Sequence, residues 1–235
     1  MDGVTSSAAE LNLLDGATAL ATSVNGLSDG LVEDNSIYLG NDPSSTTDGA
    51  QYNVAVGTTA LDAVTTGDYS TAIGGNALKA NTTGSGNTAV GTNAMEKNTT
   101  GASNTVMGWN ALVDNTTGGS NVAVGVNTMY ANTTGGSNTA IGNSSLRFNT
   151  TGSQNTASGW NSLYSNTTGD NNTAVGRNAL FYNTEAEKNS ALGFYAGDII
   201  TTGSNNVMLG YGTDPSAADG TNQIAIGYGA TGHGN

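Results

Sequence analysis

Glycine returns every 17 residues along this chain, at Gly40, Gly57, Gly74, Gly91, Gly108, Gly125, Gly142, Gly159, Gly176, Gly193, Gly210 and Gly227, with no insertion or deletion across eleven intervals. A globular enzyme joins its elements with loops of varied length and does not keep such a spacing. A stack of identical coils must keep it, because one extra residue would shift every later side chain out of its column. The period therefore predicts an elongated all-β body, a parallel β-solenoid or β-roll with 17-residue coils. Residues 36–235 read as a shaft of about twelve coils, and residues 1–35 as an N-terminal connector, helical or irregular.

Aligning the coils on the periodic glycine gives the consensus N-T-A-V-G-x-N-A-L-x-x-N-T-T-G-x-x. Four residues after the glycine lies an apolar column expected to form the core: Leu61, Leu78, Met95, Leu112, Met129, Leu146, Leu163 and Leu180. A second column just before the glycine (Val56, Ile73, Val90, Met107, Val124, Ile141) is expected to share that interior. β-Branched residues and Thr favour a pleated surface, and Asn-Thr-Thr-Gly is turn chemistry, so two short strands per coil are expected. Seventeen residues cannot hold two helices and a turn, and Gly with β-branched residues is poor helix material. At about 4.8 Å per coil the shaft would run roughly 55 Å. So thin an interior buries little per coil, which points to side-by-side association, with the Ala and Gly columns permitting close approach.

Charge narrows the functional classes. The net charge is −13 with only five Lys and Arg, which argues against binding nucleic acid through phosphate contacts. Between Ser70 and Asn183 three acids face four bases, so the excess acid lies at the ends. Cysteine is absent, excluding disulfides and thiol chemistry. No apolar run reaches the ~18 residues of a membrane helix, so membrane insertion is not expected. The N-terminus has neither the basic start nor the apolar stretch of a signal peptide. The chain is thus expected to be a piece of something longer, or to travel without conventional secretion. Ser7-Ala8-Ala9-Glu10 has capping-box spacing ahead of Leu11, Leu13 and Leu14, predicting a short helix that ends near Asp15-Gly16.

The coils resemble a known family. The N-T-A-V-G phrase is similar to the S-V-A-I-G repeats of trimeric autotransporter adhesin heads, although the period here is longer. The segment D-G-V-T-S-S-A-A-E-L-N-L-L-D-G looks like phrases of bacteriophage tail fibres, where N-T-A-x-G repeats also occur. The first resemblance implies a left-handed parallel β-roll assembled as a side-by-side homotrimer. The second implies a virion component serving host attachment, with other fibre or tail proteins and a host surface glycan as partners. The expected function is a rigid shaft with adhesive capacity; the alternative is a bacterial adhesin head at the cell surface.

Candidate chemistry is sparse, and neither catalysis, a cofactor nor a metal is expected. His233 is the single histidine and stands in a Gly-rich tail, a poor place to orient a general base. Glu185 and Glu187 read as solvated loop charges. The Asn-Thr-Thr sequons are explained as turns. A further alternative, an ice-binding face, would use the Thr column of Thr82, Thr99, Thr116, Thr133, Thr150 and Thr167. Aromatics break the monotony: Trp109, Trp160, Tyr195, Tyr211 and Tyr228 are the candidate receptor contacts, either filling grooves between subunits or stacking on sugar rings.

Overall fold

The structure is a computed structural model that describes residues 30–33, 35–40 and 49–233. The helix expected near Ser7 to Gly16 lies outside them. Strand β1 (Gly30–Glu33) pairs antiparallel with β2 (Ser36–Leu39). From β2, through β3 (Val54–Val56), to β13 (Ile224–Ile226), each strand pairs in parallel with its successor, giving one sheet of thirteen strands in chain order. Register follows the period, with Thr88 opposite Thr105 and Ala89 opposite Val106. The protein is an all-β parallel β-solenoid. Its sheet begins at Gly30, inside the segment read as connector.

Each coil holds one strand, not two. The parallel strands after β2 span three residues each, such as β7 (Val122–Val124). The segment expected to be the second strand curls instead, because Asn127 and Met129 adopt φ of 53° and 50°, which no extended strand permits. The same left-handed positions recur in neighbouring coils, at Asn110 and Leu112 and at Asn161 and Leu163. Asn tolerates this region, whereas a Leu there costs about 1–2 kcal/mol. Leu112 is fully buried, and complete burial contributes about 1.5–3 kcal/mol, so packing offsets the strain. The periodic glycine has a stricter reason. Gly57 has φ of 136°, and a Cβ there would come within 2.7 Å of the Gly74 backbone. Both the conformation and the close coil-to-coil approach require glycine.

The interior corrects a second expectation. All eight residues of the Leu/Met column are completely buried, but their partner is the strand's central Ala. Ala55, Ala72, Ala89 and Ala123 are completely buried, whereas Val56, Ile73 and Met107 are 39%, 41% and 52% exposed. A three-residue strand can turn only its middle side chain inward, and that position is Ala in most coils, with Val106 and Met208 buried there as well. The Ala column thus lies inside the coil and offers no face to a neighbouring chain, whereas the periodic glycines from Gly40 to Gly210 are half-buried.

Two buried asparagine ladders close the backbone account. In one, Asn121 Oδ1 accepts the Asn138 amide N–H at 2.9 Å, while Asn121 Nδ2 donates to the Gly135 carbonyl at 2.9 Å. In the other, running from Asn81 to Asn183, each amide nitrogen from Asn98 onward donates to the amide oxygen one coil earlier, as Asn132 does to Asn115 at 2.8 Å. The same nitrogen donates to the carbonyl three residues ahead, closing the Asn-Thr-Thr-Gly bend. Val64 and Ile200, one period outside each end, terminate this ladder with apolar side chains, and both are completely buried. The sheet's ends are also closed against parallel growth, by the β1–β2 hairpin and by an antiparallel bridge between Ile224 and His233.

Candidate recognition surfaces

Because every coil repeats the same geometry, each outward position forms a stripe along the rod, and the stripes are the possible sites. The strand face carries two of them, from the residues flanking the buried Ala. Its exposed members include Ile73, Met107, Ile141 and Leu192, interspersed with Thr88, Thr105, Thr139 and Thr173. From β2 to β13 neither stripe contains a charged residue. A shallow groove crosses this face where Ser190 is flanked by Val175, Leu192, Val207 and Leu209.

The stripe just after the periodic glycine is aromatic toward the C-terminal end. Trp160, Phe194, Tyr211 and Tyr228 all fall in it, and so does Arg177, one coil after Trp160. The Arg177 guanidinium carbon lies 4.4 Å from the Trp160 ring centroid and 5.5 Å from that of Phe194. Phe194 stacks on Tyr211 at 5.2 Å and Tyr211 on Tyr228 at 5.1 Å, with rings within 10° of parallel. Trp160, Tyr211 and Tyr228 are 51%, 50% and 85% exposed. Tyr195 belongs to the next stripe, at φ of 56°, and meets Phe194 edge-on at 4.4 Å. Trp109 occupies the same stripe as Trp160 three coils earlier and is exposed, apart from these stacks. The structure thus joins four of the five candidate contacts into one array and leaves Trp109 outside it.

A second aromatic group lies on the turn segment. Tyr164 and Phe181 stack at 5.0 Å, Phe148 meets Tyr164 edge-on, and Arg147 lies 5.8 Å from the Tyr130 centroid.

The remaining candidates separate. The Thr82 stripe does not present its hydroxyls to water: Thr82, Thr99 and Thr116 each donate to a backbone carbonyl of the following coil at 3.0–3.1 Å. The neighbouring Thr83 and Thr100 are the exposed ones. The sequon asparagines Asn81, Asn98, Asn115, Asn132, Asn149 and Asn166 are completely buried, so a glycosyltransferase could not reach them in the folded rod. Glu185 is exposed, and Glu187 pairs with Lys188 at 3.5 Å. His233 is exposed and engages Ile224 through the backbone. Among the described residues no cluster of three or more His, Cys, Asp or Glu could hold a metal ion.

One titratable pair escaped the sequence reading. Asp214 falls in the Leu column, two periods after Leu180, and is half-buried there. Burial, reinforced by the nearby Asp214 carboxyl, pushes Asp198 up to about 6. Burial also raises Asp214.

No family model, curated protein or solved structure matches this chain.

Proposed function

We propose that the protein is a structural fibre segment, a rigid shaft of the bacteriophage tail-fibre kind that works as a side-by-side homotrimer. It is not an enzyme on this reading, and it displays adhesive side chains at a virion surface. The observation that carries the reading is the strand face. Its stripe just before the glycine is apolar on every strand but that of Ser158, the other stripe mixes Thr and Ser with Val and Ile, and neither carries a charge over twelve parallel strands, whereas a soluble monomer rarely exposes a contiguous apolar patch of more than a few hundred Å². A second copy of the same chain is the partner that matches it best. Only another such rod presents apolar stripes at the same spacing of about 4.8 Å over the same length. Association through this face, rather than through the Ala column, would supply the apolar burial that each thin coil lacks.

Sedimentation analysis of the purified chain tests this: a trimer is expected, and a monomer at micromolar concentration would overturn it. A bacterial adhesin head would use the same geometry. A full-length parent sequence that carries a membrane-anchor barrel would favour that reading over the fibre.

A further inference from the structure

We propose that Arg177 anchors a surface site for an acidic glycan, its guanidinium fork receiving a sugar carboxylate. This rests on the adhesive reading above and gives it a ligand class. The chain has five Lys and Arg against eighteen Asp and Glu, so an arginine here has ample acids to choose from. Lys97 pairs with Asp114 at 2.7 Å and Lys188 with Glu187 at 3.5 Å. Arg177, like Lys79 and Arg147, has no ion pair among the described residues, and it is exposed. Its neighbours are instead the rings of Trp160, one coil before, and Phe194, one coil after.

Rings on either side direct what the group can do. A guanidinium lying between two rings presents its planar rim of N–H donors to solvent, and the rim matches a carboxylate in bidentate geometry. The stack also holds the side chain in place, so less rotamer entropy is lost when a ligand binds. The neighbouring charges are few and balanced. Between Tyr130 and Asn183 they are Arg147, Asp170 and Arg177, with Asp170 accepting the Ser153 backbone N–H, and the turn of Arg177's own coil adds Glu185, Glu187 and Lys188, of which Glu187 and Lys188 pair with each other.

The same geometry redirects the aromatic candidates. Rings stacked on one another offer edges rather than faces, so Tyr211 is not a free platform for a neutral sugar. Its hydroxyl, like the exposed Asn143 one coil before Trp160, suits a hydroxylated ligand. A polymer of acidic sugars brings a carboxylate and several hydroxyls in each unit. An acidic peptide would need an open strand edge or an apolar pocket, and the strands of these coils are paired on both sides.

The test is titration calorimetry of the intact rod with a galacturonate hexasaccharide, a heparin-derived sulfated hexasaccharide, maltohexaose and a hexaglutamate peptide, at low and at elevated salt. The uronate is expected to bind best, and to bind more weakly as salt rises. Arg177→Gln should weaken it about tenfold or more, and Arg177→Lys should recover only part, because a point charge lacks the fork. Melting temperature and sedimentation of both variants should match the wild type. Absence of uronate binding, equal binding by Arg177→Gln, or preference for the sulfated sugar, the neutral sugar or the peptide would each overturn the proposal. A rod that sediments as a trimer yet ignores the uronate sinks this site alone. A monomer that binds it sinks the shaft reading alone.

Discussion

Exchanging Asn121 for Asp changes one atom type at the centre of a ladder, and the structure sets its cost. Asn121 is completely buried. Its Oδ1 accepts the Asn138 N–H, a bond an Asp oxygen can keep, while its Nδ2 donates to the Gly135 carbonyl. In Asn121→Asp a carboxylate oxygen would face that carbonyl oxygen instead. The Gly135 carbonyl still has Asn132 as a donor at 3.0 Å, so the penalty falls on the carboxylate itself. If burial and this repulsion raise its pKa from about 3.9 to 7 or above, the deficit at pH 7 is about 4 kcal/mol. For a cooperative unit of this size that lowers the melting temperature by about 10 °C. The sign of the pH dependence follows from linkage. A folded-state pKa raised above the unfolded value binds the proton more tightly in the folded rod, so stability is retained below about pH 4 and lost as pH rises through the folded pKa. At pH 3.5 the neutral carboxyl can donate to Gly135 and accept from Asn138, and the variant should melt within a few degrees of wild type. Asn121→Leu is the control: it orphans the Asn138 N–H at about 1–3 kcal/mol, equally at both pH values. Calorimetric melting of both variants against wild type at pH 3.5 and 7 reads the difference. An Asn121→Asp deficit that is absent at pH 7, or the same at both pH values, refutes the ladder as described.

Leu112→Asp should cost several kcal/mol in thermal melting, because the new charge is buried without a partner; Val124→Asp, on the strand face, should leave the single chain's fold intact yet shift sedimentation toward monomer. Deleting Asn115 alone should disrupt folding by circular dichroism far more than deleting residues 108–124, since the block removes one whole period and rejoins matching edges. Asp198, held at about 6 chiefly by its burial, makes the C-terminal coils more stable below pH 4 than above pH 6; Asp198→Asn should slow hydrogen exchange around Val207–Leu209 at pH 7 and flatten its pH dependence after correction for intrinsic rates.

Much of this was legible from arithmetic on the sequence. The glycine period fixes the coil length, and the Leu column from Leu61 to Leu180 lies in the core. What was not legible is which of two apolar positions faces inward. In Thr88-Ala89-Val90 hydrophobicity ranks Val above Ala as a core residue, yet Ala89 is the buried one, because the pleat turns only the middle residue of three inward, whatever its size, as the buried Val106 shows. The second strand failed for a related reason. Leu is a plausible strand residue by propensity, and nothing local reveals that Leu112 adopts φ of 54°. Two other features were readable and were missed. Adding 17 twice to Leu180 gives Asp214, a carboxylate in a core column, and adding 17 to Trp160 gives Arg177. The first was lost by ending the column where it ceased to be apolar, the second by collecting aromatics without the cation between them.

A repeat of this kind also separates structural from functional positions within a single chain, because its coils are internal replicas of one another. The periodic glycine is invariant from Gly40 to Gly227, and the ladder position from Asn81 to Asn183 holds Asn in every coil. One substitution there would leave buried polar groups of two adjacent coils unmatched. The position after the glycine is free of that constraint and runs Thr92, Trp109, Val126, Asn143, Trp160, Arg177, Phe194. Variation there costs the stack little, since these side chains point outward and touch mainly their own column. Whatever distinguishes one stretch of the rod from another must be written in such columns. The aromatic–arginine run from Trp160 to Tyr228 is the longest departure from small or polar residues that this column contains. On the fibre reading that run either fills a groove between subunits or meets a ligand, and it is where a ligand is to be sought first.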